Sequence, residues 1–203
     1  LEKKGNEIRQ ARRRRFSAII FCRLVCRENE ENGERQTGGS SRQRKAAVSF
    51  SISIVAFCRK GDPLDEEIER YCRLCGPFAP VAVTYLKSPG SSSYPKHELL
   101  DVEADILQAK VQRDSTCVAL SEEGKCQPGS VVFAQWLSAK MRGSRPLTFV
   151  IGGAYGLSPR FKKSCAEVMS LSPLTLAHKL SLVVLLEQIY RAFTILRNHP
   201  YHK

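Results

Sequence analysis

From Val48 to Phe57 small polar residues alternate with apolar ones, Val48-Ser49-Phe50-Ser51-Ile52-Ser53-Ile54-Val55-Ala56-Phe57. Period-2 alternation of this kind is a strand. Asp62-Pro63 then opens a helix with acids in its first turn, running to about Leu74 and stopping at Gly76-Pro77. Val81–Leu86 is a second strand, Ser88–Pro95 a polar loop, and Lys96–Arg113 reads as a helix. Thr116–Leu120 is a third strand that ends in the turn Ser121-Glu122-Glu123-Gly124. Gly129–Met141 is a third helix, and Gly143-Ser144-Arg145-Pro146 leads to a fourth strand, Leu147–Ile151. Strand and helix alternate, which predicts an α/β fold with a mostly parallel sheet covered on both faces.

The pattern changes after Leu147. The strand passes straight into Gly152-Gly153-Ala154-Tyr155-Gly156-Leu157-Ser158-Pro159, and a second loop follows at Leu171–Leu176. Loops at strand ends are where an α/β sheet holds a small ligand. Gly152-Gly153-x-x-Gly156 is neither the dinucleotide fingerprint nor a phosphate-binding loop, and its glycines suit a tight turn. Next comes a helix over about Ala177–Arg197, apolar on nearly every face through Leu180, Val183, Val184, Leu185, Leu186, Ile189 and Phe193. Such a helix is buried on more than one side, and a homodimer is the economical way to cover the second. His178 reads as a helix-start residue. The polar tail Asn198–Lys203 fits either a frayed end or a working one.

Charge and cysteine usage refine the picture. No apolar run reaches the length that crosses a bilayer, so no membrane partner is expected. Net charge is +12, unevenly spread: residues 140–203 carry 10 Lys+Arg against 2 acids, while 48–139 carry 9 against 12. A basic C-terminal region suits a polyanionic partner such as nucleic acid. Residues 1–47 carry 13 Lys+Arg against 6 acids, with an Arg12–Arg15 block and a Thr37-Gly38-Gly39-Ser40-Ser41 linker. They predict a disordered basic extension ahead of one domain at 48–203, with the features of a plastid or mitochondrial transit peptide. Without a transit role the protein is expected in the cytoplasm. Of eight cysteines only Cys72-Arg73-Leu74-Cys75 has ligand spacing, and it has no second pair. No metal site is expected, and the thiols read as reduced and mostly buried.

Leu147–Pro159, Leu171–Leu176, Leu186–Ala192 and Pro200-Tyr201-His202-Lys203 resemble the bacterial ribosomal RNA large-subunit methyltransferase family RlmH, of the SPOUT class. The resemblance covers 48–203 and is densest from Leu147 onward. The strand end Val118–Lys125 matches too, although the family usually has Asp where Ser121 stands. It implies a SPOUT-type sheet whose C-terminal third is tied in a trefoil knot, an exception to unthreaded chains. It also implies S-adenosylmethionine held by Leu120, Gly152 with its neighbour Gly153, and Leu171, Ser172, Pro173, Leu174, Thr175 and Leu176. Gly153→Val is then expected to block the cofactor while leaving the fold roughly intact.

The reaction the resemblance implies is methyl transfer to N3 of a pseudouridine in large-subunit rRNA, on the assembled ribosome, by a homodimer. His199, Tyr201 and His202 become candidates for orienting the base or easing its deprotonation; Arg142, Arg145 and Lys203 become candidates for phosphate contact. Two other readings stay open. An inactive ribosome-binding assembly factor would fail to bind S-adenosylmethionine. A SPOUT enzyme acting on tRNA would be separated by mass mapping of modified nucleotides.

Overall fold

The computed structural model describes residues 50–89 and 94–203, all within one unit, Ala46–Lys203. The basic extension expected over 1–47, and the Val48-Ser49 start of the first predicted strand, lie outside the described residues.

Five parallel strands form one sheet: β1 Ile52–Phe57, β2 Val81–Leu86, β3 Thr116–Cys126, β4 Leu147–Ile151 and β5 Glu167–Ser170, in the order β2-β1-β4-β3-β5. β4 is central, and all five of its residues are buried. That explains its unbroken Leu-Thr-Phe-Val-Ile run, since a strand covered on both faces needs no alternation. β2 is an edge strand, and its residues alternate half-buried with exposed until Leu86.

The alternation in β1 splits the core in two. Ile52, Ile54 and Ala56 face one layer with Val118, Leu147, Phe149 and Met169. Helices α1 (Leu64–Cys75), α3 (Ser130–Arg142) and α5 (His178–Leu196) cover that layer through Ile68, Phe133, Leu137, Leu182, Leu185 and Ile189. Val55 and Phe57 face the other layer with Ala119 and Val150. There Ala104 and Leu107 of α2 (Lys96–Lys110) and Phe161 of α4 (Pro159–Ser164) close the core.

α5 packs against the sheet and between α1 and α3. Its apolar circumference is therefore largely used inside one chain: the base faces the sheet and both flanks touch helices. Ile189 is fully buried, and Val184 only partly.

Two elements, α4 and β5, and the outer half of β3 go beyond the predicted ones. β3 pairs with β5 up to Leu120 and Met169, bulges over 121–124, and resumes at Lys125 and Cys126. The predicted turn is that bulge. Gly124 passes so close to the Met169 backbone that a Cβ there would sit 2.8 Å from its Cα.

Candidate functional site

The register brings Leu120, Ile151 and Met169 level, so β4, β5 and the first half of β3, up to its bulge, reach the carboxyl edge of the sheet together. The loops leaving these three ends enclose a cavity of about 660 Å³. Its walls are 120–123 from β3, 151–157 from β4, and 170–172 with 174–176 beyond β5; His178 and Ser181 of α5 complete it.

Each wall is shaped by local chemistry. In the glycine loop Gly156 has φ +79°, and its N–H donates to the Gly153 carbonyl at 2.8 Å, which folds the loop into a tight turn. A Cβ on Gly152 would lie 2.9 Å from Leu157 N and closer still to the Gly156 carbonyl, so only glycine fits. Ser158 then caps α4 by accepting from Phe161 N–H at 3.1 Å, with Pro159 at the first helical position. In the second loop Ser170 Oγ donates to the Ser172 carbonyl at 2.7 Å, and Ser172 Oγ accepts from Leu174 N–H at 3.0 Å. These bonds hold the Leu174 side chain outward, 73% exposed, at the cavity wall.

The rim is charged. Lys162 Nζ pairs with Glu123 at 2.5 Å, and Thr175 Oγ1 donates to Glu122 at 3.3 Å, joining the second loop to the β3 bulge. Lys96 lies 5.4 Å from the Tyr155 ring centroid, and that ring is 44% exposed. Behind Gly153 sits Glu103 of α2, 3% exposed, with Oε1 lacking any hydrogen-bond partner. Its carboxylate occupies the space a Gly153 side chain would need: a Cβ would fall 2.6 Å from Oε2 and 2.8 Å from Cδ. Gly153→Val therefore presses on the end of the Glu103 side chain, which must swing aside for the fold to be kept.

Of the residues expected to hold the cofactor, Leu120, Gly152, Gly153, Leu171, Ser172, Leu174, Thr175 and Leu176 line the cavity. Pro173 belongs to the same loop but is exposed and outside the wall. Arg142 and Arg145 are exposed at the other edge of the sheet, where α3 ends and β4 begins. β4 puts them a strand length away, roughly 16 Å.

The tail lies apart from the cavity of its own chain. Tyr201 Oη donates to Glu187 at 3.0 Å, its ring meets Tyr190 edge-on at 4.8 Å, and the Arg191 guanidinium lies 4.8 Å from its centroid. Burial, with the Tyr71 and Glu187 contacts, pushes the Tyr201 phenol well above its usual range. His202 Nδ1 is 3.4 Å from Arg191, and His199, His202 and Lys203 are exposed. Tyr201 is thus an anchor, and the exposed imidazoles and ammonium are what the tail can offer elsewhere.

The sequence reading missed Lys96, Lys162, Tyr155 and Glu103 as site neighbours, and took His178 for a helix start only. His178 is the first residue of α5 and also lines the cavity. Lys162 and Tyr155 flank the glycine loop closely enough that its position alone could have flagged them. Glu103 gives no such signal.

Cys72 and Cys75 sit at the end of α1, where burial raises both thiols, Cys75 to about 12. Among the described residues no group of three His, Cys, Asp or Glu is arranged to hold a metal, and no helix is long and apolar enough to cross a membrane.

A family model described as "Predicted SPOUT methyltransferase" matches residues 50–202. A protein of Streptococcus thermophilus named "Ribosomal RNA large subunit methyltransferase H" is 39% identical over 143 residues, covering 70% of this chain and 89% of that one. A Wolinella succinogenes protein of the same name is 54% identical over 86 residues, 42% of this chain and 53% of that one. Among solved structures, the SpoU methyltransferase AviRb from Streptomyces viridochromogenes in complex with AdoMet is 16% identical. It covers 70% of this chain and 57% of that chain at a TM-score of 0.35, too loose a match to bear on this chain's chemistry.

Proposed function

The chain belongs to the SPOUT methyltransferase family, and from that membership we propose that it methylates N3 of a pseudouridine in large-subunit ribosomal RNA, using S-adenosylmethionine, on the assembled ribosome and as a homodimer. The observation that carries this reading is the cavity at the β3 bulge and the ends of β4 and β5, whose walls include every residue the family resemblance assigns to the cofactor except Pro173. The same reading has the C-terminal third threaded as a trefoil knot.

The residues present fit such a cofactor. A cavity of about 660 Å³ is within the range for a ligand of nucleoside size. Leu120, Leu171 and Leu176 offer apolar surface to a purine, and Gly152 and Gly153 let loop backbone come close enough to read its edge. Glu103, buried and with Oε1 lacking a hydrogen-bond partner, stands directly behind the glycine loop. When bound, S-adenosylmethionine supplies an electrophilic methyl group on a sulfonium.

The protein's own task is then positional. It holds N3 of the base in line with the methyl group and helps its proton depart. His199 and His202 are the groups we assign to that proton or to the base, with Tyr201 fixing the tail. Lys203, Arg142 and Arg145 meet phosphates, the two arginines from the far edge of the sheet. The half-buried outer face of α5 near Val184, with exposed Leu180 beside it, is the surface we assign to the second protomer.

Mass mapping of large-subunit rRNA from cells with and without the gene tests the proposal. One methylated pseudouridine should disappear with the gene and return with the wild-type copy. An unchanged rRNA map, with a tRNA nucleotide losing its methyl group, would refute the substrate. No change in either, with no S-adenosylmethionine binding by calorimetry, would refute the activity.

A further inference from the structure

Cys117 Sγ and Cys165 Sγ lie 3.2 Å apart, and both side chains are half-buried. Among the described residues this is the one thiol–thiol contact. The backbone frames the pair. Ala166 N–H donates to the Cys117 carbonyl at 2.9 Å, and one residue further on Val118 pairs with Glu167 in the β3–β5 ladder. Cys165 ends α4 in an extended conformation, φ −78° and ψ 151°, which turns the chain into β5. Ala166 stands level with Cys117 and Cys165 comes one residue earlier, so strand spacing and rise together put the two Cα atoms roughly 6 Å apart, within the range a disulfide spans.

We propose that Cys117 and Cys165 form a reversible disulfide, a redox-modification site that staples the turn between α4 and β5 to β3. The two sulfurs differ in the way thiol–disulfide exchange requires. The sulfur–sulfur contact with Cys117 lowers Cys165 below the usual thiol range against burial, and Ser164 lowers it further. The same contact, with burial, raises Cys117. Cys165 is therefore the attacking thiolate.

The co-reactant is a small disulfide. The Cys165 thiolate attacks one of its sulfurs, forms a mixed disulfide and releases one small thiolate. Cys117 gives its proton to solvent, attacks the Cys165 sulfur and releases the second. Two protein thiols are oxidised to one disulfide, and one small disulfide is reduced to two thiols.

The bond joins residues 48 apart in sequence, enclosing α3, β4, the glycine loop and α4. Closing so long a loop lowers the entropy of the unfolded chain and should raise Tm by roughly 5–15 °C. β3 and β5 are already paired above the sulfurs, and Leu120 is three residues beyond Cys117, about 10 Å along the strand. Cofactor affinity should therefore stay within about two-fold.

The test uses the full chain. It is incubated with oxidised glutathione, alkylated, and mapped by peptide mass spectrometry, beside a dithiothreitol-reduced sample, Cys117→Ser, Cys165→Ser and, as control, Cys72→Ser. Expected are a Cys117–Cys165 cross-linked peptide two hydrogens lighter than the pair, a raised Tm, and reversal of both by dithiothreitol. Cys72→Ser should keep the shift, and the Cys117 and Cys165 variants should lose it. Three results would overturn the proposal: both thiols alkylating after oxidant, glutathione remaining on Cys165, or a confirmed bridge with no rise in Tm.

Discussion

Replacing Gly153 by alanine tests how the glycine loop is built. The new Cβ would fall 2.6 Å from Glu103 Oε2 and 2.8 Å from Cδ, and closer to Oε1. Ordinary carbon–oxygen contact is at least half an ångström longer, so the buried carboxylate must swing aside. Overpacking of this kind costs about 1–3 kcal/mol, and loss of glycine's freedom in the unfolded chain returns about 0.4–1 kcal/mol. A net loss of about 1–2 kcal/mol follows, lowering Tm by roughly 2–8 °C for a chain this size. Gly152→Ala should be worse, because its Cβ meets the Gly156 carbonyl and Leu157 N, which are backbone and cannot rotate away. The double variant Gly153→Ala/Glu103→Ala separates collision from general loosening. With the carboxylate gone the Cβ has room, so the two changes should couple favourably by about 1 kcal/mol in urea unfolding. Coupling within error of zero, or Gly153→Ala as stable as wild type, would refute the placement of Glu103 behind the loop.

Other outcomes follow from single contacts. Asp65 is held down to about 2, chiefly by the Lys179 ammonium paired with it at 2.6 Å and also by the Gly61 and Asp62 N–H groups, against burial acting the other way. A depressed carboxylate stabilises the fold above its unfolded value, near 3.9, and that contribution fades as pH falls from about 4 to 2. Lys179→Met should therefore move the acid-unfolding midpoint upward by circular dichroism; an unmoved midpoint would show that the pair contributes nothing. Tyr201→Phe removes the bond to Glu187 and should cost about 0.5–1.5 kcal/mol in a thermal melt, provided the tail is anchored as described. Ile189→Glu, fully buried within the chain, should unfold the protein. Val184→Glu should leave it folded but monomeric by light scattering, and a persistent Val184→Glu dimer would move the interface elsewhere.

How much of this was legible in the sequence depended on length and burial. β1 and β2, with helices α1, α2, α3 and α5, carry enough patterned positions to declare themselves, as β4 does by its unbroken apolar run, and their predicted ends fall within a few residues of the observed ones. α4 has six residues and β5 four, too few for either period to register. The outer half of β3 was hidden because Ser121-Glu122-Glu123-Gly124 has turn composition, and the chain does leave the ladder there before rejoining it. The cavity walls were legible through the family resemblance, since glycine and leucine loops alone specify no ligand. Glu103 was not legible at all. It is one acid on a helix that also carries Glu98, Asp101 and Asp105, and only the tertiary packing shows that it alone turns inward. The arginines at 142 and 145 show the converse limit: a charge count reports that a region is basic, not which edge of the sheet the charges occupy.

The tail gives the sharpest consequence of the fold. α5 runs from the cavity, at His178 and Ser181, to Leu196, a distance of roughly 27 Å. Tyr201 is bound back to Glu187 and Tyr190 in the middle of the helix, which leaves only His202 and Lys203 beyond the anchor. Two residues span about 7 Å, against about 9 Å along α5 from Glu187 to Ser181 at the cavity. The reading we propose has the tail serving the cavity of a second protomer. This is testable by complementation. Deleting 199–203 leaves the cavity intact. Leu174→Glu spoils the cavity of an otherwise whole chain, and at 73% exposure it does so without disturbing the core. Each variant alone should be inactive. In an equal, freely exchanging mixture half the dimers are mixed, and each has one site joining a sound cavity to a sound tail, so roughly a quarter of wild-type activity should return. Mixed dimers that form, by native mass spectrometry, yet stay inactive would mean that the tail acts within its own chain or takes no part in the chemistry.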